Sequence, residues 1–157
     1  MTQPATVLMR RIIELELTNP DDASRPWSLR PLLACGPVVL LVYRGDWCPY
    51  CCVQLADYGL LHAEFDAAKI GVIGISTDSA AQISAIRRRL FLPFELLLDE
   101  NGRESRKLGA WSEAEGCPLP TTVLLDRQGN VVRSQIGRDP GDRPLAHEIL
   151  ATAKEIG

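Results

Sequence analysis

One stretch, VVLLVYRGDWCPYCC at residues 38–52, decides the fold of this chain. It begins with an uninterrupted apolar run, which is typical of a central strand buried on both faces. The motif Cys48-Pro49-Tyr50-Cys51 follows where that strand ends. Proline suits the first turn of a helix, so a helix is predicted to begin near Pro49. The stretch therefore predicts a strand followed directly by a helix, with two cysteines at the junction.

This junction has the placement that thiol chemistry requires. Sites in open α/β sheets form at the carboxyl ends of strands, and the N–H groups and positive dipole end of a helix favour thiolate over thiol. Helix starts and Cys-X-X-Cys motifs lower a cysteine pKa from about 8.5 to roughly 3.5–7.5. Cys48 and Cys51 lie about one helical turn apart, within reach of a disulfide. We predict that Cys48 is the nucleophile, as the more exposed thiol with the lower pKa, and that Cys51 is the resolving thiol.

Two other interpretations of the motif remain open at this point. A lone Cys-X-X-Cys is also half of a zinc site, and two cysteines can simply fill a core. The chain has no second pair of this kind, and its histidines are His62 and His147 alone, so no metal is predicted. A Cys-X-X-Cys after a strand in a βαβ pattern is typical of redox proteins.

The remaining three cysteines have weaker assignments. Cys35 precedes a Gly-Pro turn on a short predicted helix, and we expect it to be buried and structural. Cys117 lies three residues before Pro120, on a loop expected to face the pair. It is a candidate third thiol or a small apolar filler. Cys52 is a weaker candidate, because a helical neighbour points about 100° away from Cys51.

Outward from the junction, helices and strands alternate. Strands are predicted at 70–76, 94–98, 121–125 and 131–135, and helices at 28–33, 49–68, 79–90, 103–108 and 145–156. This order implies a parallel core sheet covered on both faces, to which the closing hairpin adds an antiparallel edge. The predicted fold class is α/β, with a mixed, mostly parallel central sheet and helices on both faces. Residues 7–17 fit either a helix or a strand.

The length and net charge of the chain limit its number of domains and the classes of function that it can have. The 157 residues fit a single domain, 1–157, which we divide into an N-terminal extension (1–27) and a core (28–157). A formal net charge of -3 gives no general electrostatic reason to bind nucleic acid or an anionic membrane. No targeting or membrane-spanning segment is visible, so we expect a cytoplasmic location, where cysteines stay reduced.

The combined pattern resembles the thioredoxin superfamily over about residues 28–157. Within it, the likeness is to the alkyl hydroperoxide reductase and thiol-specific antioxidant family of peroxiredoxin-like proteins. The residues that carry the likeness are Gly36 to Leu40, Tyr43 to Cys51, Leu92-Pro93-Phe94 and Arg143-Pro144. The resemblance implies a thioredoxin-like fold and reduction of hydroperoxides through a Cys48/Cys51 dithiol–disulfide cycle. It also implies no cofactor and a thioredoxin- or glutathione-type electron donor, and it is compatible with a homodimer.

The chain departs from the family pattern around the cysteines. Typical peroxiredoxins have a proline after the strand tyrosine and a threonine three residues before the peroxidatic cysteine. Aligned that way, Arg44 and Cys48 take those places, and Cys51 takes the peroxidatic one. An arginine that polarises the peroxide is also typical near the start of the later strand, where this chain has Pro120. Arg44 is either a substitute for that charge or an ordinary salt-bridging residue.

Thioredoxin-like folds hold a cis-proline facing their cysteines, and Pro120 is predicted to be that cis-proline. The residues that we expect to bind substrate are Trp47, Pro49, Tyr50, Arg44, Pro120 and Thr121. Two other functions fit the same residues, namely a thioredoxin-like protein disulfide oxidoreductase and a non-enzymatic redox sensor. The first of these acts when Cys48 attacks a partner's disulfide and Cys51 resolves it.

Overall fold

The apolar run after Pro37 forms the central strand of the molecule, as its composition requires. We describe residues 11–157 from a computed structural model of the chain. In chain order the elements are α1 (Arg30–Cys35), β1 (Val38–Val42), α2 (Pro49–Leu60), α3 (His62–Ala67), β2 (Gly71–Ser76), α4 (Ala80–Arg89), β3 (Glu95–Leu98), α5 (Arg103–Lys107), β4 (Trp111–Ser112), β5 (Cys117–Pro118), β6 (Thr121–Leu125), β7 (Val131–Ile136) and α6 (Ala146–Ile156). All five residues of β1 are buried.

The main sheet has five strands in the order β3-β2-β1-β6-β7. β1 pairs with β2 in parallel and β2 with β3 in parallel, whereas β6 is antiparallel to both β1 and β7. Four strands therefore run in one direction. β6 alone runs in the opposite direction, because it is antiparallel to both of its neighbours. The predicted mixed sheet is confirmed, and so is the hairpin of β6 and β7.

Alternate side chains of β1 enter two different cores. Val39 and Leu41 pack with both cysteines of the motif and with helices α2, α3, α4 and α6. Val38, Leu40 and Val42 pack on the opposite face, where α1 covers the sheet. Helices therefore lie on both faces of the sheet, as the alternation of strands and helices predicts. None of the six helices within residues 11–157 has the length and hydropathy of a membrane-spanning helix.

The single helix predicted over 49–68 is two helices in the structure, α2 and α3. They meet at Leu61, whose φ and ψ of -95° and 5° leave the helical range. Gly59 lies just before the break, and glycine is a poor helix former. A Cβ at Gly59 would touch the Leu92 side chain at 3.3 Å. Glycine therefore both weakens the helix here and permits its close approach to the loop before β3.

Residues 11–18 of the N-terminal segment contain no helix, and a short 3-10 helix follows at Pro20–Asp22. Arg11 and Thr18 form isolated bridges with Asn130 and Leu98, and Leu15 and Leu17 are buried against the sheet. The alternation that suggested a strand in residues 7–17 therefore holds for residues 11–17. Residues 7–10 lie outside the described part of the chain.

Cys35 is exposed, so the prediction that it is buried is wrong. Helix α1 buries Leu33, with Leu29 just before it, against the sheet. Cys35 lies two residues after Leu33, about 200° around the helix, and therefore faces outward.

Candidate active site

The two cysteines of the motif lie at the junction between the end of β1 and the first turn of α2. Cys48 is the residue before the helix, with extended backbone, and Cys51 lies in the first turn. The Cys48 N–H donates to the Gly45 carbonyl at 3.2 Å and closes a tight turn before the helix. Both side chains point into the core, with Cys48 1% exposed and Cys51 0% exposed. Cys48 is thus the more exposed of the two thiols, as predicted, but by a small margin, because the turn directs its side chain inward.

Two arginines place positive charge against the buried thiols. The Arg143 Nη2 atom lies 3.0 Å from the Cys51 sulfur and 3.9 Å from the Cys48 sulfur. The Arg44 Nη1 atom is 3.9 Å from the Cys48 sulfur, and the Arg44 backbone N–H donates to the Cys51 sulfur at 3.3 Å. The pair therefore has N–H donors on more than one side, and such donors stabilise a thiolate.

The two thiols have pKa values displaced in opposite directions. Burial alone would raise the pKa of Cys48, but a hydrogen bond from Cys51 and the charges of Arg143 and Arg44 outweigh burial and lower it. Burial raises the pKa of Cys51 to about 11, against the opposing charge of Arg143. Of the two thiols, Cys48 is therefore the one that ionises first, and its thiolate accepts a hydrogen bond from the neutral Cys51 thiol. The predicted order of acidity agrees with these directions.

Arg143 is held in place by a chain of hydrogen bonds. Its Nη1 atom donates to the Gln54 Oε1 atom at 2.6 Å, and its Nε donates to the Pro140 carbonyl at 2.7 Å. The Gln54 amide in turn donates to the Thr122 hydroxyl of β6 at 3.3 Å. Gln54 and Thr122 are both buried. Helix α2, the sheet and the loop before α6 therefore jointly orient the cation.

Sequence reasoning did not assign a site role to Gln54, Thr122 or Arg143. Arg143 entered only as part of the family resemblance. Gln54 had a usable signal, because it lies three residues after Cys51 and so on the apolar face of α2. A polar residue on a buried helix face requires a hydrogen-bond partner.

Arg44 is at once a salt-bridging residue and a charge at the site. Its Nη2 atom lies 2.9 Å from the Glu115 carboxylate, and its guanidinium lies 4.9 Å from the centre of the Trp47 ring. Trp47 is 56% exposed, and its ring lies over Gly45. The two roles weighed for Arg44 therefore coexist in one side chain.

Pro120 is trans, so the prediction of a cis-proline is wrong; residues 11–157 contain no cis peptide bond. Proline has no N–H, and pairing of β6 with β1 accordingly begins one residue later, at Thr121 opposite Val42. The Thr121 hydroxyl donates to the Leu119 carbonyl at 3.0 Å. Alternation along β6 places Thr121 with Val42 on the sheet face opposite the cysteines, so the structure does not bring Thr121 to the pair.

An apolar groove of about 410 Å³ leads to the site. Its lining residues are Pro49, Tyr50, Val53, Gln54, Asp57, Gly141, Arg143, Pro144, Leu145 and Ala146. Tyr50, Val53 and Leu145 are each more than half exposed along it. Arg143 and Gln54 belong both to the groove wall and to the network around the cysteines, so the groove ends beside the thiols.

A second anchor holds the loop that carries Cys48. The Asp46 N–H donates to the buried Asp78 carboxylate at 2.8 Å, and the Asp46 carboxylate accepts from the Gln82 side chain at 3.2 Å. Burial raises the pKa of Asp78 to about 6. Asp78 at the carboxyl end of β2 and Gln82 at the start of α4 therefore hold the active-site loop in place through hydrogen bonds to Asp46.

The other cysteines lie at different distances from this centre. Cys52 is half-buried and faces Arg89, whose Nη2 atom is 3.4 Å from its sulfur, away from the pair. Cys117 is buried and lies two residues after Glu115, the residue that pairs with Arg44. No group of three or more potential metal ligands occurs within residues 11–157.

The arrangement is a buried dithiol in which Cys48 is the more acidic thiol, with two neighbouring cations and an apolar approach. A thiolate placed in this way attacks an electrophilic oxygen or sulfur, and the adjacent N–H donors stabilise the negative charge that develops on the leaving atom. The neighbouring thiol then closes a disulfide.

Comparison with known proteins shows sequence similarity to peroxiredoxins, and the chain spans less than two thirds of the length of the plant peroxiredoxins it matches. The model of the AhpC/TSA family matches residues 10–134. The chain is 34% identical over 115 residues to the chloroplastic peroxiredoxin Q of Sedum lineare, covering 73% of this chain and 61% of that protein. It is 30% identical over 146 residues to a putative peroxiredoxin of Mycobacterium tuberculosis, covering 87% of this chain and 90% of that one.

The fold has a close counterpart among solved structures. The crystal structure of peroxidoxin BcpB from Mycobacterium tuberculosis superimposes with a TM-score of 0.83 at 25% identity, covering 96% of this chain and 97% of the other. This similarity extends over nearly the whole chain, beyond the stretch that the family model matches.

Proposed function

The chain belongs to the AhpC/TSA family, and on that premise we propose that it is a thiol peroxidase that reduces hydroperoxides through Cys48 and Cys51. One observation carries the proposal. A guanidinium group, that of Arg143, lies within 3.9 Å of both sulfurs at the end of an apolar groove. A positive charge at that place serves both reactants, since it favours the thiolate and polarises the O–O bond.

The proposed reaction uses the two thiols in sequence. The Cys48 thiolate attacks the terminal oxygen of the hydroperoxide, the O–O bond breaks, and the alkoxide takes a proton and leaves as an alcohol. Cys48 is then a sulfenic acid. The Cys51 sulfur attacks the Cys48 sulfur, a disulfide forms, and the hydroxyl group leaves with the Cys51 proton as water. Arg143 and Arg44 stabilise the negative charge of the alkoxide before it is protonated.

The groove supports an organic hydroperoxide as substrate. Exposed apolar side chains line it, and its inner wall is Arg143. An apolar body bound against Tyr50 and Val53 would direct its peroxide group towards the cation and the thiols behind it. Apolar surface removed from water contributes about 25 cal/mol per Å², so this contact favours bulky organic substrates over hydrogen peroxide.

A reductant must reopen the disulfide after each cycle. We propose a thiol reductant of the thioredoxin or glutathione type, acting in a reducing compartment such as the cytoplasm. A homodimer is part of the same proposal, and sedimentation velocity of the reduced and oxidised protein tests it.

Stopped-flow kinetics of the reduced protein tests the peroxidase activity. We expect cumene hydroperoxide to oxidise the protein with loss of two thiols per equivalent, and faster than insulin disulfides do. Faster reaction with insulin would favour the protein disulfide oxidoreductase instead. Slow reaction with every oxidant would favour the redox sensor.

Two serine variants test which thiol attacks. Cys51→Ser should still consume one equivalent of peroxide and form a sulfenic acid on Cys48, which dimedone traps when it is present during the reaction. Cys48→Ser should lose the fast reaction. The reverse outcome would assign the attack to Cys51, as the alignment with typical peroxiredoxins would have it.

A further inference from the structure

A third thiol lies beside the pair, on an element that sequence reasoning could place only loosely. Cys117 begins the two-residue strand β5 and is buried, with 8% of its surface exposed. The strand register explains its position. Val42 lies opposite Thr121, so the residues that follow β1 run beside those that precede β6. Cys117 is therefore brought to the loop that carries Arg44 and Cys48.

Arg44 connects this third thiol to the pair. Its guanidinium lies 3.9 Å from the Cys48 sulfur and 2.9 Å from the carboxylate of Glu115, two residues before Cys117, and its charge opposes the burial that raises the pKa of the Cys117 thiol. Only 13% of the Arg44 side chain is exposed. One shielded cation is thus shared by two cysteines from different elements.

The buried pair poses a problem for reduction. The exposed fractions of Cys48 and Cys51 are 1% and 0%, so a protein thiol has no direct route to a disulfide between them. Cys117, by contrast, directly follows a run of four exposed residues, 113–116. Gly116 in that run has φ of 64°, and a Cβ built there would meet no atom within 4 Å. This loop therefore has open space on its outer side for an approaching partner.

We propose that Cys117 is a third redox residue, which attacks the Cys48–Cys51 disulfide at Cys48 and carries the oxidising equivalent to the surface. The proposal rests on the peroxidase function proposed above. Cys117 loses its proton and forms a Cys48–Cys117 disulfide, and Cys51 leaves as a thiolate and takes up a proton. The external dithiol reductant then attacks the Cys117 sulfur, and Cys48 is released as the thiolate that begins the next cycle. The second thiol of the reductant attacks the resulting mixed disulfide, so that the reductant leaves with its own disulfide and Cys117 regains a proton.

The charges at the site set the order of these steps. In the reduced protein, burial raises the pKa of Cys117, and the negative charge of Cys48 adds to that effect, while Arg44 opposes it. Cys117 therefore stays protonated and does not compete with Cys48 for peroxide. Once Cys48 is in a disulfide its charge is gone, and Arg44 is left to stabilise a thiolate on Cys117. Oxidation of the pair itself thus activates the third thiol.

Mapping of disulfides in the wild-type protein gives the direct test. Reduced protein receives one equivalent of cumene hydroperoxide, is quenched with acid and N-ethylmaleimide at increasing times, and is digested for mass spectrometry. We expect a Cys48–Cys51 linkage first and a Cys48–Cys117 linkage after it. Cys48–Cys51 as the single linkage at all times would overturn the proposal. Absence of any peroxide consumption would instead show that the proposed function has failed.

Steady-state turnover gives the second test, with a bacterial thioredoxin and its NADPH-dependent reductase as the probe. We expect Cys117→Ser and Cys117→Ala to lower turnover at least tenfold. Cys35→Ser is the matched control, because it removes an exposed thiol outside the site, and it should retain the wild-type rate. Turnover of both Cys117 variants within twofold of wild type, with near-UV circular dichroism unchanged, would also overturn the proposal.

Discussion

Removal of the Arg143 charge is expected to affect both the thiolate and the reaction. The proposed change is Arg143→Met, which keeps an apolar stem against the groove and removes the guanidinium. At 3.9 Å and an effective dielectric constant of about 20, two unit charges interact with about 4 kcal/mol. Arg143 is half-buried and Arg44 remains beside Cys48, so we take about half of that figure. It corresponds to a rise of roughly one to two in the pKa of Cys48.

The rate constant for peroxide should fall further than the thiolate fraction does. Loss of a donor that stabilises developing charge typically costs about a hundredfold to a thousandfold. Two assays separate these effects. The pH profile of iodoacetamide alkylation reports the pKa of the thiolate alone, and stopped-flow oxidation by cumene hydroperoxide reports both. We expect a shifted alkylation profile and a fall of at least a hundredfold in the peroxide rate constant at pH 7.

Arg138→Met is the matched control for this experiment. Arg138 lies in the same loop and pairs with Asp142, and its side chain is 89% exposed. This control removes the same charge from the same loop without touching either sulfur, so both assays should stay at wild-type values. If Arg143→Met kept the wild-type alkylation profile and reacted with peroxide within threefold of the wild-type rate, the Arg143 charge would have no role in stabilising the thiolate or the reaction.

Three further predictions follow from the groove, a buried carboxyl and an exposed thiol. Val53→Asp should slow oxidation by cumene hydroperoxide about tenfold and leave hydrogen peroxide unchanged, whereas Leu60→Asp, which is 83% exposed on the same helix and outside the groove, should alter neither rate. The pKa of Asp78 is raised from 3.8 to about 6, so its charge costs stability above pH 6. Asp78→Asn, which keeps an acceptor for the Asp46 N–H, should therefore raise the free energy of unfolding by about 1–2 kcal/mol at pH 8 and leave it unchanged below pH 4. Urea denaturation measures both values, and an equal gain at both pH values would contradict this prediction. Cys35 should react with Ellman's reagent in the native protein faster than Cys117, and slow labelling of Cys35 would contradict its exposure.

Local patterns were sufficient to predict most of the fold. A continuous apolar run predicts a buried strand wherever it lies, and a proline after it predicts where the next helix begins. The strands and helices around the Cys48–Cys51 junction were therefore predictable within a few residues. The order of acidity of the two thiols was also predicted correctly, but its causes in the structure are the hydrogen bond from Cys51, the nearby arginines and the burial of Cys51.

Long-range packing decided the remainder, because it brings together residues that no local pattern connects. Arg143 is 92 residues from Cys51 in sequence, and the sheet order and the docking of α6 bring it to 3.0 Å from that sulfur. The direction of the Cys48 side chain, the face on which Cys35 lies and the trans form of Pro120 also depended on tertiary contacts.

The sequence by itself determined that two cysteines meet a strand end and a helix start, since that placement depends on neighbours within a few residues. Only the tertiary structure decided which charges surround those cysteines and that a third thiol, Cys117, shares one of them. The physical reason is that electrostatic interactions act through space. A guanidinium from any part of the chain affects a thiolate according to its distance and burial, and both are set by the packing of whole elements.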